Sequence, residues 1–209
     1  TGVTDPLNRT TTYSYDSRGR LSGIIMPVIG GVTYQRNDLG RLSQITDLNN
    51  KNWTFSYTNA GRLQSQTDPL ENAWQYSYDT VGRLSTTSYP GGGTLTITYD
   101  SAGNITRLLH SNGPDLQFTY DSLDRLLTAN NLTLIRDAEG RITSTDNSGT
   151  AFGATYDDGG RLKTATYPST GSGQAFTVTY SYDATTGLLS RVTDNLTNTQ
   201  IDFTHDNDR

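Results

Sequence analysis

The chain has 209 residues, a formal net charge of −5 and no cysteine. The lack of cysteine excludes disulfide bonds and thiolate chemistry, and the negative charge gives a nucleic-acid role no electrostatic support. Only 32% of the residues are hydrophobic and 18% are charged, and Thr, Ser, Gly, Asn and Tyr make up much of the remainder. This composition favours a β-rich protein with many turns over a disordered one, and no apolar run is long enough to span a membrane.

A short phrase recurs along the chain, and a glycine marks its period. Five glycines are spaced 21 residues apart, at Gly19, Gly40, Gly61, Gly82 and Gly103. Each closes a variant of the phrase aromatic, any residue, Tyr-Asp, any two residues, Gly-Arg-Leu. A fixed period of this length indicates one supersecondary unit stacked on copies of itself. We therefore expect one repeat array over residues 1–209, of about nine repeats, as a fragment of a longer chain.

The first element of each repeat is a strand. In the segment before the Tyr-Asp pair, large apolar residues such as Trp53, Phe55 and Tyr57 alternate with Thr54 and Ser56. Alternation with a period of two predicts a half-buried β-strand with a polar outer face. Equivalent apolar faces are predicted further along the chain, the last of them formed by Ile201, Phe203 and His205.

A tight turn follows each of these strands. In Asp16-Ser-Arg-Gly19, the aspartate can accept backbone N–H groups and the glycine supplies the positive φ that closes a hairpin with a bulge. The returning strand begins with Arg-Leu and often has a second apolar residue three positions later, as in Leu21 and Ile24. A spacing of three breaks the alternation and predicts a bulge.

A second turn joins one repeat to the next. Pro6, Pro27, Pro69 and Pro90 share the 21-residue register, and Asp47-Leu-Asn-Asn fills the same place without proline. Proline fixes φ for a turn and cannot donate a hydrogen bond to a strand ladder. Each repeat is thus predicted to be a β-hairpin, and together the hairpins form one antiparallel ribbon of about eighteen to twenty strands.

These phrases resemble the tyrosine-aspartate (YD) repeats of Rhs proteins, of the C-components of insecticidal toxin complexes and of teneurins. Departures are local: Arg36-Asn37, Thr58 and Arg136 replace parts of Tyr-Asp, and the period falls to 16 between Asp124 and Gly140. The resemblance implies an all-β fold in which tandem hairpins form a continuous antiparallel sheet that curls into a spiral, barrel-like shell wall. The residues that we take as the structural repeat motif are Tyr13, Tyr15, Asp16, Gly19, Arg20, Leu21, Tyr76, Tyr78, Asp79, Gly82, Arg83, Leu84, Tyr99, Asp100 and Gly103.

The resemblance also implies a structural function. We expect part of the hollow β-shell of a secreted bacterial Rhs-type protein, which encloses a C-terminal toxin or effector. The expected partners are flanking repeats and cargo of the same polypeptide, with self-association through edge strands as a further option and with neither nucleic acid nor a membrane span. The alternative is an extracellular or cell-surface adhesion protein, or a filament-forming one, that assembles through sheet edges and can contact carbohydrate.

Other site hypotheses each have a simpler structural interpretation. The repeated tyrosines could stack on sugars, but cross-strand packing explains their regular register. The arginine row could bind polyanions, but the aspartates of the same turns are nearer partners. Asp157-Asp158 is the best candidate for calcium, although one turn offers few acidic groups. His110 and His205 have no neighbouring nucleophile motif. We therefore expect no enzyme activity, no catalytic residues, no metal and no cofactor.

Overall fold

The computed structural model describes residues 1–169 and 173–205, and within these ranges it contains twenty β-strands and no helix. The prediction of an all-β fold is confirmed. None of the described segments is therefore a helix of the length and apolarity that a membrane crossing requires. The strands are β1 (Gly2–Thr4), β2 (Thr10–Tyr15), β3 (Leu21–Met26), β4 (Gly30–Arg36), β5 (Leu42–Thr46), β6 (Asn52–Tyr57), β7 (Leu63–Thr67), β8 (Ala73–Tyr78), β9 (Leu84–Ser88), β10 (Thr94–Tyr99), β11 (Ile105–His110), β12 (Asp115–Tyr120), β13 (Leu126–Ala129), β14 (Leu132–Arg136), β15 (Ile142–Asn147), β16 (Thr150–Tyr156), β17 (Leu162–Tyr167), β18 (Phe176–Tyr182), β19 (Leu189–Asp194) and β20 (Gln200–Asp202).

The strands fall into two compact units. The first contains residues 1–98 and 107–115, and the second contains residues 99–106 and the described chain from residue 116 onward. In the first unit, each strand from β1 to β9 pairs antiparallel with the strand that follows it. The same holds in the second unit for each strand from β12 to β19. The predicted series of antiparallel hairpins is confirmed in both units.

The two faces of a strand differ as the alternation predicts. In β6, Trp53, Phe55 and Tyr57 are half-buried, whereas Thr54 and Ser56 are exposed. The same alternation occurs in β8. We call the side that carries these large residues the aromatic face, and the opposite side the polar face.

A bulge explains the spacing of three in the returning strand. Ser56 pairs with Ser65, but its neighbour Tyr57 pairs with Leu63, so Gln64 is an extra residue. The same shift occurs beside the corresponding residue in eight hairpins. The extra residue brings the first apolar residue and the residue three positions later onto the same face, which confirms the predicted bulge.

Both sets of turns use a residue with positive φ at the fourth position. Gly19 has φ +74° and Gly82 has φ +90°, as predicted, and Asp124 adopts φ +60° in place of glycine. In the turns that join repeats, Asn8 and Glu71 take the equivalent position with φ +60° and +64°. One turn chemistry therefore serves both edges of the sheet.

The sheet has almost no buried core. Among the described residues, Leu134 at 8% exposure is the one buried hydrophobic side chain, Thr87 at 7% is the one buried polar residue, and no large side chain is fully buried. Domains ordinarily pack two layers around a core. Here the contacts between neighbouring strands and neighbouring turns must hold the fold.

Three sequence expectations change in detail. The last predicted strand is shorter, because β20 ends at Asp202 and Phe203 and His205 follow it outside the strand. The shortened period arises because β13 and β14 meet in a tight turn at Asn130, which has φ +50°. The expected surface loop at 168–173 lies partly outside the described residues, and Pro168 and Gly173 belong to no strand.

Candidate functional site

The aspartate of each Tyr-Asp turn organises its own hairpin. Oδ1 of Asp16 accepts the backbone N–H groups of Arg18 and Arg20, both at 2.9 Å. Its Oδ2 accepts Nε of Arg20 at 2.8 Å. The backbone closes the turn, since the N–H of Gly19 donates to the carbonyl of Asp16 at 2.9 Å. One carboxylate thus fixes both the turn and the arginine that follows it.

The arginine extends from its own turn to the turn of the next repeat. Nη1 of Arg20 donates to the carbonyl of Gly40 at 2.9 Å, and Nη1 of Arg161 donates to that of Gly187 at 3.1 Å. Cζ of Arg161 also lies 4.5 Å from the ring centroid of Tyr182 in the next hairpin, within cation–π range. The arginine therefore joins consecutive repeats.

The same contact gives the repeat glycine a second role. A Cβ atom added to Gly61 would lie 2.8 Å from Cζ of Arg41, and one added to Gly82 would overlap the guanidinium of Arg62. Positive φ alone favours glycine at these positions. The arginine of the preceding repeat occupies the space that any larger residue needs.

The tyrosine before the aspartate forms a hydrogen bond with the preceding repeat. The hydroxyl of Tyr57 donates to the carbonyl of Leu42 at 2.8 Å, and that of Tyr78 donates to the carbonyl of Leu63 at 2.7 Å. Tyr120, Tyr156 and Tyr182 make the same bond to Ile105, Ile142 and Leu162. We call this set of contacts the repeat junction: Asp with Arg in one turn, Arg with the next Gly and Tyr, and that Tyr with the preceding Leu or Ile carbonyl.

Other donors occupy the tyrosine position where the sequence departs from the pattern. Nη2 of Arg36 lies 3.4 Å from the carbonyl of Leu21, and Nη2 of Arg136 lies 3.3 Å from that of Leu126. His205 Nε2 is 2.7 Å from the carbonyl of Leu189. The arginines fit less well, because Nε of Arg36 and of Arg136 is buried without a hydrogen-bond partner in the described part of the chain. The position requires a long side chain with a terminal donor.

Hydrogen bonding in the turns stabilises the charged carboxylates. The backbone N–H of Arg20, and then its guanidinium, lowers the pKa of Asp16 to about 2. The Arg161 guanidinium, followed by its backbone N–H, lowers the pKa of Asp157. These aspartates are consequently ionised ion-pair partners at neutral pH and are poorly suited to act as general acids.

The structure also bears on the other site hypotheses. Both oxygens of Asp157 accept hydrogen bonds from Arg161, and the described residues contain no cluster of three His, Asp or Glu that could hold a metal ion. Arg20, Arg83, Arg125, Arg141 and Arg161 each pair with the aspartate of their own turn. In the turns of Arg41 and Arg62, Asn37 and Thr58 stand in place of the aspartate. These two arginines lie over the rings of Tyr57 and Tyr78. The junction uses most of the groups that polyanion or calcium binding would need.

The fifteen motif residues occupy equivalent places. Tyr13 and Tyr76 lie in the middle of strands on the aromatic face, and Tyr15, Tyr78 and Tyr99 end their strands. Asp16, Asp79 and Asp100 begin the turns, Gly19, Gly82 and Gly103 have positive φ, and Leu21 and Leu84 begin the returning strands. Sequence reasoning missed the contacts of Arg and Tyr with neighbouring repeats. The regular spacing of the Gly-Arg pairs could have indicated these contacts, because it places each arginine one hairpin before the next glycine.

Comparison with known families supports this geometry. The family model described as RHS Repeat matches residues 1–27, 36–71 and 57–94. Over these residues the chain is similar to Rhs repeats. The same turn hydrogen bonds continue beyond the matched region, at Asp121, Asp137 and Asp157. No curated protein sequence matches the chain.

Solved structures with a similar fold come from toxin complexes. TcdB2-TccC3 without its hypervariable C-terminal region has a TM-score of 0.57 and 17% identity, over 99% of this chain and 15% of that one. TcdB2-TccC3-Cdc42 has a TM-score of 0.55 and 14% identity, over 95% and 18%. A mutant Tc holotoxin pore of Photorhabdus luminescens has a TM-score of 0.52 and 16% identity, over 89% and 15%. At these identities the similarity is one of fold, and the chain spans less than a fifth of each of these chains.

Replacing Tyr78 with phenylalanine should test the junction directly. The change removes the hydroxyl that donates to the Leu63 carbonyl at 2.7 Å. We expect a loss of roughly 1–2 kcal/mol in the free energy of unfolding, because a half-buried carbonyl loses its partner. Urea unfolding followed by circular dichroism measures this.

The matched control is Tyr76→Phe. Tyr76 lies on the same strand and face, and its hydroxyl makes no hydrogen bond within the described residues. We expect a change within about 0.5 kcal/mol for this variant. Equal effects of the two substitutions would show that the Tyr78 hydroxyl does not join consecutive repeats.

Proposed function

We propose that this chain is a wall section of the hollow β-shell of a secreted bacterial Rhs-type protein, and that its role is structural. The observation that carries the proposal is the repeat junction, in which the side chains of the motif connect one repeat to the next. These side chains are used for assembly, and the described residues contain no group of three or more His, Asp or Glu that could hold a metal ion.

The near absence of a core supports the same role. In its described part the sheet buries one apolar side chain, so neither face is covered by a second layer. Such a sheet is suited to be a wall, because each face can border a separate space. The fold similarity to chains of TcdB2-TccC3, of which this chain matches less than a fifth, agrees with a section of a larger assembly. In this proposal further repeats complete the wall, and the enclosed cargo is a C-terminal toxin or effector of the same extracellular polypeptide.

The test is the assembly state of the purified 209-residue chain. Mass photometry across a dilution series, with negative-stain images of the same samples, should give monomers at every concentration, since the junctions are satisfied within the chain. Growth into regular fibres with rising concentration would overturn the wall function and support the filament alternative, in which exposed edge strands pair with other copies.

A further inference from the structure

The polar face of strands β2 to β10 differs from the end of the first unit, where Arg107 and Asp115 form an ion pair at 2.7 Å. From β2 to β10, every residue paired across strands on this face is Thr, Ser, Gln, Asn, Ala, Gly or Ile. On an ordinary protein surface about a quarter to a third of the residues are Lys, Arg, Asp or Glu. From β2 to β10 the paired positions of this face therefore offer hydroxyl, amide and a few small or apolar groups, and no charge.

One part of this face forms an open hollow of about 320 Å³. It is lined by Ser56, Gln64, Ser65, Gln75 and Ser77, and by Tyr76, a residue of the aromatic face. The small side chains of Ser56 and Ser65 pair across β6 and β7, and Ser77 lies two residues beyond Gln75 on β8. Gln64 is the extra residue of the β7 bulge, and Gln75 pairs with Ser65.

The polar groups of the hollow are available to a ligand. The hydroxyls of Ser56 and Ser65 bond to each other at 2.7 Å. The side chains of Gln64, Gln75 and Ser77 make no hydrogen bond within the described chain, and Gln64, Gln75 and Ser77 are exposed. Serine hydroxyls and glutamine amides each donate and accept hydrogen bonds.

We propose that this hollow binds a neutral saccharide. A sugar ring carries hydroxyl groups that both donate and accept, which matches the two amides and three hydroxyls of the lining. The hollow has no cation for a phosphate or carboxylate and no anion for an amine, so charged ligands would lose hydration without an opposite charge. The inference does not depend on the proposed wall function, because it rests on the polar face alone.

Titration of the isotopically labelled chain with cellobiose and with maltose, followed by amide NMR shifts, tests the site. We expect saturable shifts centred on Ser56, Ser65 and Gln75 with at least one of these sugars, and none with glucose 6-phosphate at the same concentration. Gln75→Ala and Gln64→Ala should each weaken binding about tenfold, because each removes a hydrogen-bonding amide.

Gln35→Ala is the matched control, since Gln35 is an exposed glutamine on the same face at the far side of β5. It should leave the affinity unchanged. Circular dichroism checks that each variant folds, and Gln64, which lies in a bulge, gives a second variant if Gln75→Ala does not fold. Absence of shifts with both neutral sugars, equal binding of the charged sugar, or unchanged affinity in a folded glutamine variant would overturn the proposal.

Discussion

Gly82→Ala is expected to lower the free energy of unfolding by about 2 kcal/mol. Gly82 has φ +90°, a conformation that costs an alanine roughly 1–2 kcal/mol. The added methyl group would also overlap the guanidinium of Arg62, which must then leave its place over the Tyr78 ring at 5.6 Å. Loss of that cation–π contact adds about 0.5–1 kcal/mol. Chemical unfolding monitored by circular dichroism gives the difference.

Two further variants separate the backbone effect from the arginine effect. Gly91 has nearly the same φ, +85°, but has no atom within 4 Å of an added Cβ, so Gly91→Ala should show the backbone cost alone. In an Arg62→Ala background, the destabilisation caused by Gly82→Ala should likewise fall to that caused by Gly91→Ala. If Gly82→Ala costs the same with and without Arg62, the arginine does not determine the choice of glycine.

Acid should unfold this protein over a narrow range of pH. The folded-state pKa of Asp16 is about 2, below its ordinary value of 3.8, chiefly because of the backbone N–H and guanidinium of Arg20. The pKa values of Asp121 and Asp157 are lowered in the same way. A lowered folded pKa gives stability that is complete above the unfolded pKa and is lost as the pH falls through the folded pKa. We therefore expect a constant urea midpoint from pH 7 to about 5 and a steep decrease from about pH 4 to about pH 2.

The chain itself supplies the design of the acid control. Asn37 already occupies the aspartate position in one turn, where its Oδ1 accepts the N–H of Arg41 at 2.9 Å. Replacing Asp16, Asp121 and Asp157 together with asparagine should keep the turns, lower stability at pH 7 and flatten the decrease below pH 4. An unchanged pH profile would attribute the acid sensitivity to net positive charge rather than to the turn carboxylates.

The hairpin could be predicted because its causes are local. Trp53, Phe55 and Tyr57 alternate with small polar residues, and Asp16 and Gly19 encode a turn within four residues. The bulge at Gln64 could also be predicted, since a spacing of three cannot stay on one face without an extra residue. The last strand was predicted too long, because the alternation of Ile201, Phe203 and His205 does not show where strand pairing stops.

The sequence by itself determined the repeat, the strand faces, the turns and the all-β class, because each depends on residues that are close in the chain. The tertiary structure decided which contacts the motif residues make between repeats. Arg20 meets Gly40 and Tyr78 meets Leu63 across 20 and 15 residues, and only the pairing of strands brings these groups together. It likewise decided that Arg36 and His205 can stand in for tyrosine, since the position needs a donor that reaches one carbonyl of the preceding repeat rather than an aromatic ring.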